Sequence, residues 1–122
     1  MSFKSILLAL ALVVVLASSA LASSAMSGGK ATVHFFAIPE SVPATELAKL
    51  NGFLNQAAGG FTAMRSQGGS MVAGVSEIHE NNMSYLVAAD RNLSKEIMAY
   101  AKEKLGLGKL FILVWKADRP GQ

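Results

Sequence analysis

The chain has 122 residues, is 52% apolar, contains no cysteine and carries a formal charge of +3. No cysteine means no disulfide staple, so an exported domain of this size must rest on its hydrophobic core. The charge is small and mixed in sign: Lys102 and Lys104 flank Glu103, and Lys95 precedes Glu96, so there is no basic stripe to track phosphates and nucleic acid is not an expected partner.

Residues 1–22 read as a signal peptide. Met1 to Lys4 is a short, once-charged start, Ile6 to Ala17 is an unbroken apolar run, and Ala20 and Ala22 have the A-x-A spacing that signal peptidase cuts. The run is shorter than the roughly 20 residues that span a bilayer, so no stable membrane span is expected after cleavage. Cleavage after Ala22 is the first expectation and after Ala25 the second. The protein is then exported, to the periplasm or beyond it. It begins with a Ser/Gly-rich leader, residues 23–30, and carries +2, because Lys4 is removed. About 100 residues remain, enough for one modest core. They divide into a single domain over 31–117 and a polar tail over 118–122.

Ala31 to Ile38 is β-branched and aromatic and predicts a buried strand that Pro39 ends. Ser41 to Ala58 predicts a helix, with Pro43 and Glu46 in its first turn, Leu47, Leu50, Leu54 and Ala57 on one face, and Gly59-Gly60 as the stop. Phe61 to Ser66 predicts a short strand, Gly68-Gly69 a turn, and Met71 to His79 a longer strand. Glu80-Asn81-Asn82 reads as a hairpin and Met83 to Ala89 as the returning strand. Asn92 is placed to cap a second helix whose stripe is Leu93, Ile97, Ala101 and Leu105, ended by Gly106. Lys109 to Lys116 predicts a last strand, apolar on both faces as a central strand would be. The order β-α-β-β-β-α-β implies an α+β two-layer sandwich, ferredoxin-like, with both helices on one face of a mostly antiparallel sheet and the last strand beside the first. Asn82-Met83-Ser84 and Asn92-Leu93-Ser94 are N-x-S tripeptides, read here as chance.

Several pieces of the chain resemble a family of small, uncharacterised bacterial α+β proteins, many of them exported. They are Phe35-Phe36, Phe53-Leu54-Asn55, Gly59-Gly60-Phe61-Thr62, Gly68-Gly69-Ser70, Tyr85-Leu86-Val87 and Leu110 to Val114. The tryptophan of that family's Gly-x-Trp turn has no counterpart at Gly69-Ser70-Met71. The resemblance implies the same fold and carries no activity.

Candidate chemistry is sparse. His34 shares a strand face with Thr32, Phe36 and Ile38. It is either a ligand or general base on an open sheet face, or a histidine held by hydrogen bonds to its neighbours. Glu77 and His79 lie two apart on a strand and point the same way, so with His34 they make the one conceivable metal-hydrolase constellation, although no paired-histidine motif supports it. No cofactor is expected. Gly68-Gly69-Ser70 lacks the second glycine of a nucleophile elbow, no helix start follows it to hold a phosphate, and the methionines are dispersed as core filler. Arg65, Tyr85 and Trp115 are candidates for a ligand or partner surface. The sharpest signal is the last strand: Phe111, Leu113 and Trp115 make apolar the face that two helices would leave uncovered. The expected function is a non-enzymatic binding or self-associating module, with a homo-oligomer first and a small ligand or protein partner next. An enzyme centred on His34, Glu77 and His79 is the alternative.

Overall fold

Phe36 and Tyr85 stack at 5.3 Å between ring centroids and form the middle of the core. The computed structural model describes residues 29–121; the expected signal peptide and leader residues up to 28 lie outside the described residues. The elements run β1 (Gly29–Ile38), α1 (Ala44–Ala58), β2 (Thr62–Val72), β3 (Val75–Ala89), α2 (Ser94–Leu105) and β4 (Ile112–Arg119). The strands form one antiparallel sheet in the order β2-β3-β1-β4, which places the last strand beside the first. The result is the expected ferredoxin-like α+β sandwich.

Residues 31–117 form one compact unit. The described part of the other, residues 29–30 and 118–121, carries an exposed ion pair between Lys30 and Asp118, of a kind that contributes little to stability.

The alternation on β1 and β3 sets the layers. Phe36 and Ile38 pair across the sheet with Tyr85 and Met83, and they share one core with Leu50 and Leu54 of α1, Ile97 of α2 and Leu93 just before α2. Each helix ends as its glycine dictates: Gly59 and Gly106 both take left-handed backbone (φ 85° and 69°). After α2, the Leu107 N–H returns to the Ala101 carbonyl at 3.0 Å, closing a Schellman-type turn.

Two expectations are corrected. The middle of the chain holds two long strands where three were expected. Gly68-Gly69 is strand interior, paired with His79 and Ile78, and the true turn is Ala73-Gly74. There, φ values of 52° and 80° at two residues between Val72 and Val75 describe a type I′ hairpin turn. The Asn-rich segment is a bulge: Glu80 and Asn81 face the single residue Gln67, and Asn81 takes φ 58°. Secondly, β4 is an edge strand and not a central one. Its double apolarity has another cause: Ile112 packs on the core, while Leu113 and Trp115 lie 48% and 43% exposed.

Candidate functional site

His34 is the most completely buried polar side chain of β1. The Leu93 N–H donates to its Nε2 at 2.8 Å, so its Nδ1 carries the proton and donates to the Val87 carbonyl at 3.0 Å. Both ring nitrogens are thereby used, and the arrangement requires the neutral imidazole. The histidine is a staple. It ties β1 to β3 and satisfies a backbone N–H at the entrance to α2, where the Asn92 side chain accepts the Ser94 N–H at 2.9 Å. Arg91, through its hydrogen bond to Glu96 in the first turn of α2, holds the Glu96 carboxyl below the usual range.

Tyr85 is also in the core. Its hydroxyl donates to Asn51 Oδ1 at 2.9 Å, and burial pushes its pKa above the ordinary 10.0. Arg65 is exposed and pairs with Met83 on the same, helix-side face of the sheet.

Glu77 and His79 sit on the distal part of the β2–β3 ribbon. His79 Nε2 lies 2.9 Å from Ser70 Oγ and 3.9 Å from Glu77 Oε2, with both ionisable side chains half-exposed. Serine and carboxylate meet the same ring nitrogen, so the three do not form a relay in which the carboxylate orients the base. His79 is roughly 25 Å along β3 from Val87, the cross-strand partner of His34, at about 3.3 Å per residue. The imagined His34, Glu77 and His79 cluster is not assembled. Among the described residues, no three His, Cys, Asp or Glu side chains converge as a metal site.

What does converge is apolar. The residues between the core positions point to the face that neither helix covers. Leu86 pairs with Phe35 on one side and Thr62 on the other, and Met64 pairs with Ser84. Lys116 donates to Thr32 on the helix side at 2.7 Å and Ile112 packs on the core, so Leu113 and Trp115 fall on the uncovered face, Leu113 beside Phe35 and Ala37. Met64 and Leu86 are 55% and 39% exposed. Trp115, among the expected site residues, lies on this face, while Tyr85 and His34 lie on the other. Leu86, Met64 and Phe35 were not singled out from sequence, although Leu86 between Tyr85 and Val87 was the signal: three apolar residues in succession cannot all face one side of a strand.

A second apolar hollow adjoins this face. It is a cleft of about 600 Å³ between α2 and residues 107–111, lined by Met98, Lys102, Leu107, Lys109, Leu110 and Phe111 among others. Phe111, 79% exposed, stands at its rim.

The sequence matches no protein-family model, and no curated protein matches it. Among solved structures the chain is similar to the B. subtilis GlnK–ATP complex, with a TM-score of 0.55 and 14% identity over 72% of this chain and 82% of that one. At that identity the likeness establishes the ferredoxin-like fold and nothing finer.

Proposed function

We propose that this protein is a non-enzymatic binding module that self-associates through the uncovered face of its sheet. One observation carries the reading: where β2, β3, β1 and β4 lie side by side, the positions that point to that face (Thr62 to Ser66, Asn82 to Ala88, Ala31 to Ala37 and Leu113 to Ala117) hold no charged side chain, and Glu77 stands on the distal ribbon beyond them. Apolar surface of this extent seldom persists on a monomer. A foreign partner is usually selected by complementary charge as well as by shape. The four-stranded part of this face offers no charge to read, and two copies packed there about a twofold axis meet without like-charge repulsion. Sheets so packed would lie about 10 Å apart with their side chains interdigitated. A fold shared with a protein described in complex with ATP supports a binding role, and export through residues 1–22 would place that role outside the cytoplasm.

Trp115 is the single tryptophan of the chain and reports on the face directly. Light scattering at rising concentration should give a mass above that of one chain, with a blue shift of tryptophan emission. Trp115→Asp should return the mass to one chain. A wild-type protein that stays a single chain across the micromolar range would remove the reading.

A further inference from the structure

The cleft between α2 and residues 107–111 is a different surface from the sheet face, and its lining is of a different kind. Met98 and Lys102 are four residues apart on α2, so they sit one above the other on the same flank of the helix. The Schellman-type turn at Gly106 reverses the chain, and Leu107 to Phe111 then form the opposite wall. Leu107 and Leu110 are partly buried against the core and make an apolar floor, while Met98 and Phe111 stand exposed as walls. The volume, about 600 Å³, is that of a small-molecule site.

The charges in it are all of one sign. Lys102 and Lys109 line the cleft, and no carboxylate does. Apart from these two ammonium groups, the lining side chains are Met, Ala, Leu and Phe, with a glycine at Gly108. No side-chain amide, hydroxyl or carboxylate is present to accept a hydrogen bond from a base or a sugar hydroxyl, so the side chains offer only positive charge and apolar surface. Two cations above an apolar trough fit a molecule with an anionic head and an aliphatic body.

We propose that this cleft binds a small anionic amphiphile of the medium-chain carboxylate type. Lys102 and Lys109 hold the carboxylate, and the chain lies along Leu107 and Leu110 between Met98 and Phe111. The lysines act as point charges on flexible stems, so they select the sign of the head more than its geometry. The chain supplies affinity in proportion to the apolar area it loses to the cleft.

The test is calorimetric titration of the full chain with decanoate, with decyltrimethylammonium as a ligand of the same chain and opposite head, and with vesicles of anionic phospholipid. Decanoate should bind at one site per chain, and the cationic analogue at least tenfold more weakly. Affinity should rise by about fourfold for each methylene from hexanoate to decanoate, at ~0.8 kcal/mol per buried CH₂. Lys102→Glu and Lys109→Glu should each weaken decanoate at least tenfold, and Lys102→Gln less, with circular dichroism unchanged. Equal binding of both head groups, or binding that survives both charge reversals, would overturn the site. Binding to vesicles with none to decanoate would overturn a soluble ligand in favour of a lipid surface. Light scattering on the same samples reads the sheet interface separately: lost decanoate binding at unchanged mass removes only the cleft, and a single-chain mass with decanoate bound removes only the interface.

Discussion

The two faces of the sheet are built from the same strands, from alternate residues of similar apolarity, and have opposite fates. Phe36, Tyr85 and Val87 are almost wholly excluded from water, while their immediate neighbours Leu86 and Phe35 lie on the face that no helix covers. Two helices are enough to cover one side of a four-stranded sheet. The other side must then be solvated or covered from outside, and solvated antiparallel faces are ordinarily polar. Folding is thus assigned to one face of the sheet, and the proposed assembly to the other. A substitution should reveal which face it touches by which measurement it moves.

The largest effect is expected at the centre of the covered face. Phe36→Ala removes a ring stacked on Tyr85 and leaves a cavity, which should cost about 3–5 kcal/mol in urea unfolding. Leu86→Ala, one strand away on the other face, should cost under about 1 kcal/mol in a sample dilute enough to be single chains. Equal costs would mean that the faces are not distinct. Next comes His34→Ala. It strips the acceptor from the buried Leu93 N–H and the donor from the Val87 carbonyl, and should cost about 2–3 kcal/mol. A loss below about 0.5 kcal/mol would mean that water replaces the ring and that the histidine is no staple.

The contrast between the faces was half legible in the sequence. Period-2 alternation gives the parity of a strand but not which parity meets the helices. His34 could be put on the face of Phe36 and Ile38 while that face was still imagined as open. The apolar run Leu110 to Trp115 showed that both sides of β4 are apolar. It did not show that β4 is an edge strand, because apolar residues on an uncovered face read in sequence like those on a buried one. The ribbon was misread for a physical reason. Gly68-Gly69 and Asn81-Asn82 are the best local turn formers in the segment, but they stand nearly opposite one another. The cross-strand ladder absorbs one mismatch as a bulge and carries both strands on to Ala73-Gly74. Residues 69–80 are all exposed, so no buried face imposes a pattern that would have revealed the strands. The two helices were legible because capping residues and apolar stripes agree: Asn92, Gly59 and Gly106 mark ends that Leu50, Leu54 and Ile97 independently require.

A smaller effect is expected at the Tyr85 hydroxyl, and its pH dependence has a definite sign. Burial raises its pKa in the folded state above 10.0. The contribution to stability is therefore fully present below pH 10 and is lost as pH rises through the raised value. Tyr85→Phe removes the hydrogen bond to Asn51, costing about 1 kcal/mol at neutral pH, and should flatten the alkaline decline seen by thermal melts. A decline that persists unchanged in the phenylalanine variant would assign the titration to other groups.

The smallest effect on folding, and the one that sharpens the comparison most, is expected at Met64. It lies on β2, at the opposite edge of the sheet from Trp115, and is more than half exposed. Met64→Lys should change single-chain stability by no more than about 0.5 kcal/mol, because a lysine there keeps its ammonium in water. In an assembly that buries the whole face, the same ammonium would be carried into an apolar contact with no partner, so the mass should fall to that of one chain. If Met64→Lys leaves the mass intact while Trp115→Asp lowers it, the contact is confined to the β1–β4 half of the sheet and the β2 edge stays in water. If both lower it, all four strands take part, and the uncharged surface from Met64 to Trp115 is one interface.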